Sequence, residues 1–148
     1  MLDKRIVLLV EDNPDDEALT LRALKKNNIL NEVVVARDGS EALDCLLGSD
    51  GKTPRIRLDQ LAVVLLDLKL PKVNGLEVLR RLRGDPRTKR LPVVILTSSR
   101  EEKDMVSAYD SGANSYVQKP VEFAEFVKAA GHLGLYWLVT NASPPMPG

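Results

Sequence analysis

Apolar residues fall in five short runs along the chain, and between the runs their spacing lengthens to three and four. Ile6–Val10 reads Ile-Val-Leu-Leu-Val and Leu61–Leu66 reads Leu-Ala-Val-Val-Leu-Leu, with no polar position in either. A strand covered on both faces has that pattern. Residues 32–36, 91–97 and 114–118 are three further predicted strands. The segments between them predict helices. Asn13-Pro14-Asp15-Asp16-Glu17 supplies an N-cap, a proline at the first helical position and acids in the first turn, and Ala18, Leu21 and Leu24 form the apolar stripe that follows. Helices are also predicted over 40–47, 75–83, 101–109 and 122–139.

Five strands alternating with helices predict an α/β fold: a single (βα)5 doubly wound parallel sheet in the flavodoxin-like order 2-1-3-4-5, with an extended C-terminal helix. With 148 residues, one domain is expected, spanning 4–139, and the Pro-rich segment 140–148 has the composition of a disordered tail. The connection over 48–58 is longer than this architecture needs, carries Lys52, Arg55 and Arg57, and reads as a solvated insertion.

Charge and composition narrow the function. Lys plus Arg number 21 and Asp plus Glu number 21, a balance that argues against a nucleic-acid binder and a membrane-surface protein. The single cysteine, Cys45, excludes an internal disulfide and a multi-cysteine zinc site; its place in an apolar helical stripe predicts a core residue. No apolar run approaches the ~18 residues that span a bilayer, and the N-terminus shows no signal-peptide core, so the expected compartment is the cytoplasm. Aromatics are 4% of the chain, and all lie after residue 108.

In open parallel sheets, ligands bind beyond the carboxyl ends of the strands. The residues there are Glu11, Asp12, Arg37, Asp38, Asp67, Thr97 to Ser99, and Lys119. Glu11, Asp12 and Asp67 end the first and third strands, which are neighbours in the expected order. Three carboxylates held together repel unless a cation compensates. A hard, oxygen-seeking ion suits them, Mg²⁺ best, whereas zinc or copper would call for clustered His and Cys. Thr97 and Lys119 add a hydroxyl and an ammonium to the same rim. A metal, an ammonium and a hydroxyl around one carboxylate suit a phosphoryl group, with Asp67 as its nucleophile.

The segments Val10-Glu-Asp-Asn-Pro-Asp-Asp16, Leu65-Leu-Asp-Leu-Lys-Leu-Pro-Lys-Val-Asn-Gly75, Leu96-Thr-Ser98 and Tyr116-Val-Gln-Lys-Pro120 resemble the receiver domain of two-component response regulators, in order and spacing, over about residues 4 to 131. The resemblance implies a single-domain regulator that accepts a phosphoryl group from a histidine kinase onto Asp67 and signals through protein contacts. It implies Asp12 as direct Mg²⁺ ligand, Glu11 acting through water, and the Lys69 backbone carbonyl as a further ligand. Thr97 and Lys119 would hold the phosphoryl oxygens, Tyr116 would be the aromatic switch, and the Lys119–Pro120 bond would be cis. Lys69 and Ser99, two residues after Asp67 and Thr97, would tune phosphoryl lifetime. Asp-Asn-Pro-Asp-Asp, the 48–60 insertion, Asp-Leu-Lys-Leu-Pro-Lys and Leu-Gly-Leu-Tyr-Trp-Leu resemble the stand-alone regulators paired with phytochrome-type kinases. Such a protein is a phosphoacceptor that assists its own phosphorylation and dephosphorylation; it is not an enzyme acting on a separate substrate.

Alternatives make different demands on the rim. A flavodoxin-type FMN protein needs a Gly- and hydroxyl-rich phosphate loop where Glu11 to Asp16 stand. A haloacid-dehalogenase-like phosphatase needs a second acid where Lys69 stands. A phosphorylation-independent adaptor has no use for Glu11, Asp12, Asp67, Thr97 and Lys119 together. His132, the only histidine, lies in the last helix and reads as a surface residue; the basic stretch from Arg80 to Arg90 reads as a solvated loop opposite the rim. In the last helix, Phe123, Val127, Ala130, Gly134 and Leu138 make one apolar stripe, and Phe126, Ala129, Leu133 and Trp137 a second. The combined arc of about 200° exceeds the ~100° that faces one core. The second stripe, with Gly131 and Gly134 admitting a close backbone, therefore predicts a homodimer through the fourth helix, fifth strand and last helix, with Phe126, Leu133 and Trp137 at its interface.

Overall fold

The computed structural model describes residues 5–49, 51–119 and 122–146. Its elements are β1 (Ile6–Val10), α1 (Pro14–Lys26), β2 (Val33–Ala36), α2 (Gly39–Leu47), a 3₁₀ turn (Leu58–Gln60), β3 (Leu61–Leu66), α3 (Gly75–Gly84), β4 (Val93–Thr97), α4 (Glu102–Asp110), β5 (Ser115–Gln118) and α5 (Phe123–Gly134), continued by a π-helical turn (Leu135–Thr140). The five strands form one parallel sheet in the order β2-β1-β3-β4-β5. Element ends differ from the sequence expectation by one or two residues, the usual fraying of helix and strand termini.

Period-two alternation divides the strands between two cores. Leu8, Val10, Val64, Leu66, Val93 and Ile95 face α2, α3 and α4 in an aliphatic cluster that also buries Cys45. Val7, Leu9, Val63, Leu65 and Val94 face the other way, onto Trp137 and Leu138, and Leu96 meets Leu24 and Phe126 between α1 and α5. The 48–58 insertion is anchored: Ile56 is buried in the aliphatic cluster, and its amide donates to the Cys45 carbonyl at 3.1 Å.

Local chemistry fixes where helices begin. The Asn13 side chain accepts from the Asp15 and Asp16 amides at the start of α1, and Asn74 accepts from Glu77 at the start of α3. Each such cap contributes about 1 kcal/mol. At Gly75 the start of α3 lies so close to the end of β3 that a Cβ would overlap the Asp67 carbonyl oxygen.

Two expectations are corrected. Phe126 and Trp137 are 5% and 7% exposed, because α5 wedges between the sheet and α1 and buries these two members of the second stripe, while Ala129 and Leu133 stay partly exposed. The two glycines serve that packing: a Cβ on Gly131 would meet the Asn27 amide group, and one on Gly134 the Ile29 side chain. Asn27 itself donates to the Val127 carbonyl at 2.7 Å, joining α1 to α5. Within the segment expected to be a tail, Ser143, Pro145 and Met146 have contacts: Arg5 donates to the Ser143 hydroxyl, Arg90 donates to the Pro145 carbonyl at 3.0 Å, and Met146 packs on the aliphatic cluster. Lys4, Pro120 and the last two residues lie outside the described residues, and so does the expected cis Lys119–Pro120 bond.

Candidate functional site

Backbone pairing at the carboxyl ends of β1, β3, β4 and β5 brings the predicted residues together. The Asp67 amide donates to the Val10 carbonyl at 3.2 Å, so the end of β3 sits beside Glu11. The Lys119 amide donates to the Thr97 carbonyl at 2.7 Å and draws the end of β5 onto β4. Carboxylate oxygens of Glu11, Asp12 and Asp67 all lie within 4.8 Å of one another. Glu11 and Asp67 are buried, whereas Asp12 is exposed and gives the cluster its opening to solvent.

The Lys119 ammonium is the counter-charge. It is 6% exposed, pairs with Glu11, and reaches Asp67 Oδ2 at 3.1 Å and Asp16 Oδ2 at 3.1 Å. Burial alone would favour the neutral amine, but the surrounding carboxylates outweigh it and raise Lys119 above its ordinary value. Glu11 is likewise raised above a free carboxylate. Burial raises it to about 7, although the Lys119 hydrogen bond and charge pull it down. Repulsion from Asp67 adds to the rise.

Thr97 is buried at the end of β4, with its hydroxyl accepting from the Ser99 amide at 3.3 Å. Ser99 donates its own hydroxyl to Asp104 at 2.6 Å. The Tyr116 hydroxyl is buried with no hydrogen-bond partner among the described residues, and burial raises its phenol above the ordinary value. Its ring stands 6.5 Å from that of Tyr109. The Lys69 amide approaches Asp67 Oδ1 at 3.4 Å while its side chain points to solvent.

Asp16 was not among the predicted site residues. Its position in the first turn of α1 marked it as a helix-start acid, and only the closeness of that turn to the ends of β1 and β5 makes it a partner of Lys119. Arg100 was missed too. It donates to Gln118 at 2.7 Å and to the Lys119 carbonyl at 3.0 Å, holding the β4–α4 connection against the residue that carries the ammonium.

The acidic trio, its buried ammonium and the sheet order agree with a family profile. The profile for the response regulator receiver domain matches residues 7–131. The chain belongs to that family. Among curated proteins, this receiver domain is 39% identical to the probable methanogenesis regulatory protein FilR2 of Methanothrix harundinacea, over 96% of this chain and 89% of that one. It is 36% identical to the response regulator Rcp1 of Synechocystis, over 95% and 93%. Among solved structures, the Mn²⁺-bound form of Rcp1 superposes with a TM-score of 0.83 at 34% identity, covering 95% and 99% of the two chains. The phosphorylated cyanobacterial phytochrome response regulator RcpA gives 0.81 at 34%, again over 95% and 99%. The bacteriophytochrome response regulator AtBRR gives 0.73 at 54% identity, over 95% and 100%.

Proposed function

We propose that Asp67 accepts a phosphoryl group from the phosphohistidine of a sensor histidine kinase of the phytochrome-associated type, with Mg²⁺ bound, in the cytoplasm. One observation carries the reading: a buried Asp67 carboxylate lies 3.1 Å from the Lys119 ammonium and within 4.8 Å of two further carboxylates. The donor set fits a hard cation, since Glu11, Asp12, Asp67 and the Lys69 carbonyl offer only oxygen. Bound there, the ion supplies positive charge against the carboxylates and the incoming phosphoryl oxygens.

An Asp67 oxygen bonds to phosphorus as the phosphorus–nitrogen bond of the phosphohistidine breaks, and the imidazole leaves with a proton from solvent. Lys119 stays beside the acceptor and pairs with a phosphoryl oxygen. Thr97 offers its hydroxyl to another, and the Tyr116 ring responds to the Thr97 movement. The Lys69 and Ser99 side chains flank the path of the water that later hydrolyses the acyl phosphate, so the protein assists both its charging and its discharge. The phytochrome-type partner is supported by the likeness of this chain to the phytochrome response regulator RcpA and the bacteriophytochrome response regulator AtBRR.

Output passes through a homodimer built on α4, β5 and α5. Its support is the surface left apolar there: Val106, Tyr109, Leu135 and Tyr136 are about half exposed or more, beside a groove of about 350 Å³ lined by Val117, Ala129, Leu133 and Tyr136. Phe126 and Trp137 serve that interface from beneath, as supports of the helix, and Leu133 reaches its surface.

The test of phosphoryl acceptance uses phosphoramidate and Mg²⁺. Wild-type protein gains one phosphoryl group, labile to alkali and hydroxylamine, by intact mass, Asp67→Asn gains none, and EDTA suppresses the gain. A charged Asp67→Asn protein overturns the assignment, and turnover of many equivalents of donor would favour a phosphatase. Light scattering of wild type and Tyr136→Asp tests the dimer; a monomeric wild type, with and without beryllofluoride, removes it.

A further inference from the structure

The three donors of the Lys119 ammonium are all taken, by Glu11, Asp67 and Asp16. The three acceptors are not equivalent. Glu11 and Asp67 side chains are 2% and 10% exposed, while that of Asp16 is 35% exposed. Asp16 comes from the first turn of α1, whereas Glu11 and Asp67 end the two central strands. A phosphoryl oxygen that pairs with Lys119 must displace one acceptor, and the partner most open to water is the least costly to release.

We infer that Asp16 is a positioning residue for phosphoryl transfer: it holds the third donor of Lys119 in the resting protein and yields it to the incoming phosphoryl group. The inference rests on the reading of Asp67 as phosphoryl acceptor. Asp16 touches neither phosphorus nor the acceptor; it acts through Lys119. Its effect has two parts. It fixes the ammonium at the mouth of the site, and its negative charge opposes a dianionic donor until the exchange is made. Three carboxylates pair with the one ammonium, and Asp12 adds a fourth to the cluster beside Glu11 and Asp67, so the site is acidic by more than its acceptor chemistry needs. Removing the Asp16 charge therefore strengthens binding of an anionic donor at the site.

A helix-start acid also favours α1 through the helix dipole, so a control must remove that effect alone. Asp15 provides it. It lies in the same turn, is exposed, and like Asp16 its amide is capped by Asn13. The experiment compares wild type, Asp16→Asn and Asp15→Asn in the full chain with Mg²⁺. It follows the initial rate of phosphorylation against phosphoramidate concentration, and in parallel the affinity for beryllofluoride. Asp16→Asn is expected to lower the apparent KM for phosphoramidate and tighten beryllofluoride about five- to tenfold, the size of one charge acting on an anion at partly solvated range, with the maximal rate little changed. Asp15→Asn is expected to match wild type on both measures. The inference is overturned if Asp16→Asn leaves KM and beryllofluoride affinity unchanged, or if Asp15→Asn shifts them equally. A wild-type protein that takes up neither phosphoryl group nor beryllofluoride defeats the acceptor reading itself, a result distinct from either.

Discussion

Two cations are tucked into opposite ends of this sheet, and they are held in opposite ways. Lys119, at the carboxyl ends, is enclosed by the carboxylates of Glu11, Asp16 and Asp67. Arg83, at the amino ends, donates to the carbonyls of Leu91, Gly112 and Lys89 at 2.8, 2.9 and 3.1 Å and to Asn114 Oδ1 at 2.9 Å. The carboxylates raise Lys119 above its ordinary value, whereas burial among neutral acceptors lowers Arg83 below its own. The planar five-donor fork of arginine suits fixed carbonyls, and the compact ammonium suits partners that exchange. Arg83 therefore ties the end of α3 to the turns before β4 and β5, while Lys119 remains available for chemistry.

The largest expected effect separates the two at once. Lys119→Ala should lower the rate of Asp67 phosphorylation by phosphoramidate by about 10²–10³, the usual consequence of losing one preorganised positive group. Arg83→Ala should leave that rate within about twofold, yet destabilise the fold by roughly 2–3 kcal/mol because several carbonyls lose their donor together. Urea melts and single-turnover kinetics on both variants decide the matter. An Arg83 variant as stable as wild type would show that water replaces the guanidinium, and the contrast would fail.

The sequence made the carboxyl end more legible than the amino end, for a physical reason. Strand-end acids stand directly after apolar runs, so period and position alone placed Glu11, Asp12 and Asp67 on one rim. Asp16 escaped because its neighbours in sequence explain it completely as a helix-start acid, and only the crossing of chain segments brings it to Lys119. Arg83 escaped among five other basic residues from Arg80 to Arg90, since a run of like charges carries no mark of which one turns inward. The sheet order and the strands followed from pattern. The fate of the α5 stripes did not, because a helical arc shows how much surface is apolar and leaves open whether a sheet, a neighbouring helix or a second chain covers it. Here the end of α1 covers the first stripe, through the Asn27 bond to Val127 and the contact of Ile29 at Gly134, and Phe126 and Trp137 of the second stripe pack in the clusters of the sheet.

A smaller effect sharpens the comparison through pH. Glu11 stands at about 7 in the fold against 4.5 for a free carboxylate, so the folded chain holds its proton more tightly than the unfolded chain does. That contribution to stability is fully present below pH 4.5 and is lost as pH rises through about 7. A divalent ion at the rim binds the ionised form and opposes the loss. The gain in Tm on adding Mg²⁺ should accordingly be greater at pH 8 than at pH 6, and Glu11→Gln should flatten the difference. Arg83 has no carboxylate among the partners given above, so Arg83→Lys should leave this pH dependence in place. A Mg²⁺-induced gain that is equal at the two pH values would break the link between Glu11 and the metal.

The smallest expected effect concerns the tryptophan. Trp137 is buried against Val7 and Val63, at the start of β1 and in the first half of β3, with the Tyr136 ring edge-on at 5.0 Å. Glu11 and Asp67 follow the far ends of those two strands. A strand rises about 3.3 Å per residue, so Val7 and Val63 stand about 13 Å along their strands from Glu11 and Asp67, and Trp137 also borders Arg90, Pro92 and Asn114 at the amino ends. No direct contact links an ion at the rim to the ring. Mg²⁺ should therefore change Trp137 emission only slightly, and whatever change appears on charging with beryllofluoride should come from the α4–β5–α5 surface that Tyr136 shares. The measurement is a fluorescence titration with Mg²⁺ at nanomolar protein, to keep the chain monomeric, repeated on Tyr136→Phe. Strong quenching by Mg²⁺ alone would mean that the end of α5 lies near the rim, and the separation of the two ends of the sheet on which the whole contrast rests would be lost.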